Sequence, residues 1–516
     1  MTRARGKARP AWGWRLLAGV LAGLSPQLST AASSGERPNI VILYADDMGY
    51  GDLTVQNPAS KIPTPNLDRL AAEGMRFTDA HSSSGICTPS RYALLTGQHH
   101  WRKFHGIVNA FGPSVFDVGR LTLPEMLRAQ GYRTACIGKW HLGWDWAALR
   151  RPDAQADAQT GYASDAFDWS RPVPDGPLAH GFEHYFGDDV PNFPPYGWIR
   201  DDRLVAAPTR PLLVAPAPEE GSAECRPGPM VEGWRLDAVM PRLTREAVAW
   251  IDERRSRPEP FFLYFPFTSP HAPIVPAPEF RGRSEAGPYG DYVAQTDATV
   301  GAVMEALRRN GLAERTLVLF TSDNGPEHYA YERTRRHDHR STGPLRGLKR
   351  DLWEGGHRVP FIVRWPGRVT AGAVCPALVG QVDVMATVAA ILGCALPEDA
   401  AEDSFDLLPL WRGEVPDVRD FHVHNTRANE YAIRQGEWVL IEAPSGAVTR
   451  VPSWFDGANG YASDDSPAAL FDLRQDLAQR RNVIAEHPAR VAALRALLTQ
   501  IREQGCSAPR LLGAPR

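Results

Sequence analysis

Hydrophobic and polar positions along this chain form two recurring patterns, continuous apolar runs and amphipathic segments. Runs that are rich in Val, Ile and Phe, and that have the length of buried strands, cover residues 39–45, 133–138, 261–267, 316–321 and 360–365. Between them, apolar positions share one face of two predicted helices, Leu123, Met126 and Leu127 in the first and Val293, Val300, Val303 and Leu307 in the second. Continuous apolar strands that alternate with helices predict an α/β fold, with a largely parallel central sheet flanked by helices.

The pattern changes after residues 396–420, which are rich in Pro, Asp and Glu. Residues 431–441 and 469–473 are predicted strands. A terminal amphipathic helix is indicated by Val491, Leu494, Leu498 and Ile501. We therefore expect a small C-terminal α+β domain over residues 416–516. Residues 145–241 have little periodicity, and we expect them to form long loops.

The first residues have the pattern of a secretory signal peptide. The leader is basic, with Arg3, Arg5, Lys7, Arg9 and Arg15. A short apolar stretch from Leu16 to Leu24 and small residues at 29–32 follow. The stretch is too short to span a bilayer comfortably, so an uncleaved anchor is the less favoured alternative. We expect a signal peptide over residues 1–32, a catalytic domain over 33–415, and an exported protein, periplasmic or secreted, with no stable membrane span.

Composition and charge narrow the range of functions. The 57 basic and 60 acidic residues give a net charge of −3, which supplies no electrostatic basis for binding nucleic acid or a membrane surface. The six cysteines include no Cys-x-x-Cys pair, which argues against a zinc or thioredoxin-like site. The 15 Trp and 45 Pro residues suggest long ordered loops with aromatic-lined clefts, a composition that suits a carbohydrate or aryl ligand without establishing either.

Polar side chains follow four of the predicted strands, at the points where the strands end. Asp46 and Asp47 follow the first strand. The groups after the second, third and fourth strands are Lys139 and His141, His271, and Asp323 with Asn324. Because ligands of open α/β sheets bind outside the carboxyl ends of the strands, we expect these groups to meet at one edge. A single Asp there would be an ordinary turn residue, but four such strand ends are hard to explain as turns.

This edge has the ligands of a hard cation. Adjacent carboxylates at Asp46 and Asp47 need a cation or a proton when they are buried, although a solvated turn is the alternative. Oxygen ligands favour Ca²⁺ or Mg²⁺ over zinc, and the mixture of carboxylates with the Asn324 amide favours Ca²⁺. Further basic groups could clamp a tetrahedral oxyanion ester, namely Arg91, Lys139, His141, His271 and Lys349.

Cys87 lies in an unusual sequence, Cys-Thr-Pro-Ser-Arg followed by Leu-Leu-Thr-Gly. Taken alone, a cysteine is most often a small buried apolar side chain. A cysteine hydrolase is a second interpretation, because a thiolate near a base is a good nucleophile. Motifs elsewhere in the chain favour a third interpretation.

The third interpretation comes from a resemblance. The segment around Cys87 resembles the signature of the formylglycine-dependent sulfatases, in which this cysteine is oxidised to an aldehyde. Further segments resemble other motifs of that family in the family's order, and they are residues 39–51, 131–141, 269–273, 322–325 and 349–359. The resemblance implies an alkaline phosphatase-like fold and hydrolysis of a sulfate ester, with a sulfated carbohydrate as the expected substrate and aryl sulfates as model substrates.

The resemblance also implies roles. Asp46, Asp47, Asp323 and Asn324, with the modified Cys87, would hold Ca²⁺, or less favourably Mg²⁺. Arg91 and Lys139 would stabilise the aldehyde hydrate, and His141 would help to regenerate the aldehyde. His271 and Lys349 would contact the sulfate, and His271 would protonate the leaving alcohol. One hydroxyl of the hydrate would attack sulfur, and deprotonation of the second would expel sulfate. A formylglycine-generating maturation enzyme is the implied partner.

One segment departs from the family pattern. After Gly181–Gly187, arylsulfatase A-like members carry a polar Ser/His contact, whereas this chain reads Asp-Asp-Val-Pro-Asn. Asp188, Asn192 and His105 are therefore candidates for substrate binding, with packing of a surface loop as the alternative. Two other functions stay open: a formylglycine-dependent phosphonate or phosphodiester hydrolase, and a non-catalytic binder of sulfated glycan if Cys87 is not matured.

Overall fold

The structure of the protein is a computed structural model, and it describes residues 37–213, 220–221, 224–461 and 466–510. The signal peptide predicted over residues 1–32 lies outside this part of the chain. Within it, no helix combines the length and the apolar character that crossing a membrane requires.

The strands and helices were numbered separately in chain order. The strands are β1 Asn39–Ala45, β2 Met75–Phe77, β3 Ala80–His81, β4 Arg133–Lys139, β5 Ala156–Asp157, β6 Gly161–Tyr162, β7 His184–Asp189, β8 Ile199–Arg200, β9 Arg203–Leu204, β10 Arg210–Leu212, β11 Gly228–Met230, β12 Phe261–Pro266, β13 Thr316–Ser322, β14 Phe361–Arg364, β15 Ala373–Cys375, β16 Val379–Gly380, β17 Phe421–Asn425, β18 Tyr431–Gln435, β19 Trp438–Glu442 and β20 Ala469–Asp472. The helices are α1 Pro65–Ala72, α2 Cys87–Thr96, α3 Leu123–Ala129, α4 Val239–Asp252, α5 Gly287–Arg309, α6 Tyr329–His337, α7 Glu354–His357, α8 Val384–Leu392, α9 Leu408–Trp411, α10 Ser453–Asn459 and α11 Pro488–Glu503.

The central sheet has the strand order β15-β2-β14-β13-β1-β12-β4-β7-β8-β9. Its middle five strands, β13 to β7 in that order, are parallel. Successive residues of β1 belong to two different hydrophobic clusters, Ile40 and Ile42 to one and Val41 and Leu43 to the other. Because both faces of the strand are buried, its apolar run is continuous. The predicted fold class is confirmed.

Two sequence-based predictions about this sheet were incomplete. The fifth predicted strand exists as β14, but it runs antiparallel to β13, since hydrophobic periodicity identifies a strand without giving its direction. The span 145–241 was predicted to form only loops, yet it contributes β7 to the central sheet. Tyr185 and Phe186 pack into opposite clusters, but this six-residue strand ends in Asp188 and Asp189, which weakens its apolar signal.

The C-terminal region forms an antiparallel sheet of order β17-β18-β19-β20. The single strand predicted over residues 431–441 was wrong: the chain turns at Gly436, whose φ of 54° lies in the left-handed region that glycine adopts readily. Strand β17 was missed because His422 and His424 occupy its alternating positions. The domain boundary predicted at residue 416 stays a prediction.

Helix α11 packs against this sheet through one apolar face. Val491, Leu494 and Leu498 pack with residues of β18, β19 and β20 in one cluster. Leu494→Ala should destabilise the protein by about 2–5 kcal/mol, because it leaves a cavity in a filled cluster. Leu497→Ala is the control, since Leu497 is only half-buried on the same helix. Thermal unfolding of both variants tests this, and equal shifts would contradict the packing.

Candidate active site

The carboxyl ends of β1, β4, β12 and β13 lie side by side at one edge of the central sheet, as predicted. Two backbone hydrogen bonds hold the chain segments beyond these ends together. The Asp46 amide donates to the Ser269 carbonyl at 3.1 Å, and the Asp323 amide donates to the Ala45 carbonyl at 3.1 Å. The loops after three neighbouring strands are therefore fixed before any ligand binds.

The predicted oxygen ligands converge on this edge. Asp46, Asp47, Asp323 and Asn324 are all buried. The Asp47 amide donates to Asp323 Oδ1 at 3.1 Å, and Asn324 Nδ2 donates to Asp47 Oδ1 at 2.7 Å. Asp47 has a φ of 62°, a left-handed conformation that Asp tolerates better than most residues do. Its side chain is thereby brought beside those of the β13 loop.

Four of the five predicted cations pair with or lie close to these carboxylates. Lys139 Nζ donates to Asp46 Oδ2 at 2.5 Å, and Arg91 donates to Asp323 Oδ2 at 2.8 Å. Lys349 Nζ donates to Asp47 Oδ2 at 2.8 Å. His271 Nε2 lies 3.7 Å from the same oxygen. These four basic side chains therefore all lie against the candidate metal ligands.

Lys139 depends on the glycine that precedes it in β4. Gly138 has a φ of 130°, and a Cβ there would lie 1.9 Å from the Pro266 carbonyl oxygen of β12. The pairing of β4 with β7 is also irregular between Ile137 and Lys139. Irregular pairing of this kind re-aims side chains next to functional sites, and here it accompanies the burial of a lysine beside Asp46.

Cys87 is the first residue of α2, and its side chain is buried. Arg91 follows four residues later, so the two side chains share one face of the helix. Ligand atoms of Asp46, Asp47, Cys87 and His271 all lie within 4.8 Å of one another. The structure thus brings the cysteine of the predicted motif directly to the predicted metal ligands.

The electrostatics of Cys87 disfavour an unmodified thiolate nucleophile. Burial raises the pKa of the Cys87 thiol to about 12, although Lys139 and Lys349 act in the opposite direction. A thiol with such a pKa is almost entirely protonated near neutral pH, whereas reactive cysteines have lowered pKa values. The cysteine-hydrolase interpretation therefore loses its physical basis.

The carboxylates have unequal electrostatic environments. Burial alone would raise the pKa of Asp46, but Lys139, His271 and Arg91 hold it well below its usual value. Burial and the neighbouring Asp46 charge raise the pKa of Asp323 to about 7, despite Arg91. The basic side chains at the site therefore do not fully neutralise the negative charge of these buried carboxylates.

Two buried oxygens fit a bound cation. Within the described part of the chain, Asp46 Oδ1 and Asn324 Oδ1 have no hydrogen-bond partner although they are shielded from solvent. An unpaired buried oxygen is costly unless it meets a donor or a cation. Carboxylate and amide oxygens are the donors that Ca²⁺ and Mg²⁺ accept. The residues present therefore fit the predicted divalent ion.

His141 lies close by in an unusual conformation, with a φ of 53°. Its Nε2 faces the Val108 carbonyl at 2.9 Å, so Nε2 carries the hydrogen and donates it. Nδ1 is buried, and none of the described residues forms a hydrogen bond with it. An unprotonated Nδ1 is thus available to accept a proton. Burial, with Lys139 and Arg91, lowers the pKa of His141 well below its usual value, which keeps the ring neutral.

Of the three candidates for substrate binding, two are buried with unsatisfied oxygens. Both carboxyl oxygens of Asp188 and the Oδ1 of Asn192 lack hydrogen-bond partners among the residues that the structure describes. Burial raises the pKa of Asp188 to about 7. His105 differs, because its exposed ring is bonded through Nδ1 to Asn425 Oδ1 of β17 at 2.8 Å. His105 is therefore attached to the C-terminal sheet and is not part of the group around Cys87.

Sequence reasoning missed Glu327. This buried carboxylate lies 3.5 Å from Lys349 Nζ and accepts hydrogen bonds from Arg350 at 2.5 and 2.8 Å. Its only sequence signal is its position three residues after Asn324. Glu327 gives Lys349 a second anionic partner, which fixes the ammonium group between two loops.

A family profile described as Sulfatase matches residues 38–394. The chain is 33% identical over 513 residues to N-acetylgalactosamine-6-O-sulfatase of Bacteroides thetaiotaomicron, an alignment that covers 91% of this chain and 94% of that protein. It is 33% identical over 500 residues to arylsulfatase A of Bos taurus, with 91% and 86% covered. A solved structure from work on the metabolism of multiple glycosaminoglycans by Bacteroides thetaiotaomicron superposes with a TM-score of 0.77 at 30% identity, with 91% and 100% covered.

Proposed function

This chain belongs to the sulfatase family of sulfuric ester hydrolases, and from that premise we propose that it removes sulfate from a carbohydrate with an aldehyde hydrate made from Cys87. The observation that carries the proposal is the position of Cys87. Its side chain lies within 4.8 Å of ligand atoms of Asp46, Asp47 and His271, while burial keeps the thiol itself protonated. A modified side chain accounts for both facts.

The oxygen ligands would hold Ca²⁺ in preference to Mg²⁺. The holding residues would be Asp46, Asp47, Asp323 and Asn324, joined by the modified Cys87. When bound, the ion would polarise a sulfate oxygen and favour ionisation of a nearby hydroxyl. The buried oxygens of Asp46 and Asn324 that have no hydrogen-bond partner among the described residues support this assignment.

The aldehyde hydrate would supply one hydroxyl for attack on sulfur and a second whose deprotonation releases sulfate. Arg91 and Lys139 would orient that group, because both are buried and held by the carboxylates of the site. Lys349, which donates a hydrogen bond to Asp47, would also contact the sulfate. Side chains already fixed in this way need little reorganisation when negative charge develops.

Two histidines would move protons. His271 has Nδ1 directed at the Ala272 carbonyl, so Nε2 is the atom that faces the site. In its doubly protonated form, with Asp47 Oδ2 3.7 Å from Nε2, His271 would give the Nε2 proton to the leaving alcohol and become neutral. His141 has its Nε2 hydrogen committed to the Val108 carbonyl, so Nδ1 would accept the proton from the second hydroxyl. The acid and the base are thus on different loops, after β12 and β4.

We propose the 6-sulfate of N-acetylgalactosamine as the first substrate to test, because similar proteins bear that name. Sulfate release should be measured on N-acetylgalactosamine 6-sulfate, its 4-sulfate isomer and N-acetylglucosamine 6-sulfate. A phosphonate monoester and a phosphodiester should be assayed in parallel. Turnover of the sugar sulfates is expected to exceed that of the phosphorus esters. Faster phosphonate hydrolysis, or no release from any sugar sulfate, would contradict the proposal.

Maturation and location complete the proposal. Conversion of Cys87 would require a formylglycine-generating enzyme as a partner. Export would follow from the leader at residues 1–32, and it stays a prediction. Amino-terminal sequencing of the protein from its native source is the measurement that would check the leader.

Asp188 is expected to bind the sugar. Its unsatisfied carboxyl oxygens would bond a sugar hydroxyl or amide, so Asp188→Asn should raise KM for the sugar sulfate by about 10- to 100-fold, the cost of a hydrogen bond to a charged group. Hydrolysis of a small aryl sulfate should be nearly unchanged. Asp202→Asn, at an exposed position, is the control. An equal loss on both substrates would contradict a role in specificity.

A further inference from the structure

A second group of potential ligands lies outside the oxygen site, where β3 and α7 meet β17. The rings of His81, His357 and His424 are buried and stand close together. The His357 and His424 rings stack with centroids 3.5 Å apart, and the His81 ring lies 5.2 and 5.1 Å from them. One nitrogen from each ring lies within 4.8 Å of the other two. These three residues are called the histidine cluster below.

The hydrogen bonds of His81 and His357 fix their tautomers. His81 Nε2 faces Asp79 Oδ1 at 2.7 Å, and Asp79 also accepts from Arg434 at 2.6 Å. This carboxylate is ionised, so His81 Nε2 must donate. His357 Nε2 faces the Leu352 carbonyl at 3.1 Å and must also donate. In the neutral form of either ring, Nδ1 therefore carries no hydrogen.

The two Nδ1 atoms nevertheless lie 3.0 Å apart. Two unprotonated nitrogens at that distance direct lone pairs at each other, which is unfavourable unless a cation lies between them. A single proton or a metal ion would each remove the conflict. The third ring of the cluster distinguishes these two explanations.

His424 contributes a third lone pair. Its Nδ1 faces the Ser82 carbonyl at 3.3 Å and so carries the hydrogen. Its Nε2 is buried and has no hydrogen-bond partner in the described ranges of the chain. A proton shared by His81 and His357 would leave this nitrogen unsatisfied. One metal ion could bind all three nitrogens once the His357 and His424 rings, stacked with an interplanar angle of 15°, turn so that both ring planes contain the ion.

We propose that the histidine cluster binds one zinc-type divalent ion through Nδ1 of His81, Nδ1 of His357 and Nε2 of His424. Each ring donates its other N–H to a carboxylate or a backbone carbonyl, the arrangement that orients histidine ligands of metals. Imidazole nitrogens favour Zn²⁺ over the hard ions that suit the oxygen site.

The ion would join three distant parts of the chain. His81 ends β3 six residues before Cys87, His357 ends α7, and His424 lies on β17 of the C-terminal sheet. A metal bound there would link the C-terminal sheet to the segment that precedes α2, the helix that begins at Cys87. Its role is structural, and it is independent of the ion proposed for Asp46 and Asp47.

The experiment uses the full chain, loaded with Zn²⁺, freed of loosely bound metal by gel filtration and treated with a calcium-selective chelator. Elemental analysis should find about one zinc per chain after calcium has been removed. X-ray absorption at the zinc edge should show nitrogen ligands at about 2.0 Å. Absence of retained zinc, or a shell of sulfur or of oxygen alone, would overturn the proposal without reference to any variant or to sulfatase activity.

Two variants test which histidines bind the zinc ion. His424→Gln should lose the zinc, keep the calcium and lower the midpoint of thermal unfolding measured with Zn²⁺ present. His422→Gln is the matched control, because His422 is buried on the same strand but is not one of the three converging ligands. Retention of zinc by His424→Gln, or equal loss from both variants, would overturn the assignment. Retained calcium shows that the variant is folded.

Discussion

Cys87→Ala is expected to abolish sulfate ester hydrolysis, with a loss in kcat of about four orders of magnitude or more, as when an enzyme loses its nucleophile. Alanine cannot be converted to an aldehyde, and no other described group at the site can take its place, since Asp46, Asp47 and Asp323 are committed to cations. The fold should persist, because α2 is held by the packing of all its residues. Sulfate release from a sugar sulfate and from an aryl sulfate measures the effect.

Cys136→Ala is the matched control. Cys136 is also a fully buried cysteine, in the neighbouring strand β4, but it belongs to the hydrophobic core. Its replacement should cost some stability and little activity. Mass spectrometry of the tryptic peptide of residues 77–91 from active protein should show the loss of mass that accompanies conversion of a thiol to an aldehyde. An intact thiol in fully active protein would contradict the proposed nucleophile.

Removal of the divalent ion is expected to have the second largest effect. Incubation with a calcium-selective chelator should abolish activity, and Ca²⁺ should restore it more effectively than Mg²⁺, because the ligands combine carboxylates with an amide. Asp47→Ala should lower activity by about 10³-fold or more and weaken Ca²⁺ binding, since it removes one of four oxygen ligands. Calcium content and activity as a function of added Ca²⁺ are the measurements.

Asp297→Asn provides the control for this variant. Asp297 is a buried carboxylate that accepts hydrogen bonds from the Asn66 and Leu67 amides at the start of α1. Its replacement should lower the free energy of unfolding without changing the dependence of activity on Ca²⁺. Full activity of Asp47→Ala in the presence of chelator would exclude Asp47 as a required ligand. Asp47→Ala also leaves Lys349 with Glu327 at 3.5 Å as its remaining anionic partner.

The sequence was sufficient where a local pattern reports a physical requirement directly. A strand buried on both faces must be apolar throughout, so β1, β4, β12 and β13 could be predicted nearly to their ends. Residues that follow parallel strands share one edge, so the meeting of Asp46, Lys139, His271 and Asp323 could be anticipated from position alone. The resemblance of the segment around Cys87 to a known signature supplied the chemistry that periodicity cannot give.

Local patterns failed where contacts beyond the segment decide the conformation. Nothing in the composition of residues 184–189 separates β7 from a loop, because its burial comes from packing against β4 and from the two clusters on its faces. The turn at Gly436 and the antiparallel direction of β14 likewise depend on the partner strands. Glu327 was overlooked because its importance comes from Lys349 and Arg350, which follow it by more than twenty residues.

The sequence by itself therefore determined the fold class, the edge that carries the chemistry and the residue types gathered there. Only the tertiary structure decided which atoms face each other: that burial raises the pKa of the Cys87 thiol, that oxygens of Asp46 and Asn324 lack partners among the described residues, and that histidines of β3, α7 and β17 place ring nitrogens within 4.8 Å of one another. The physical reason is that periodicity depends on neighbours along the chain, whereas pKa values and ligand geometry depend on neighbours in space, which here are separated by up to hundreds of residues.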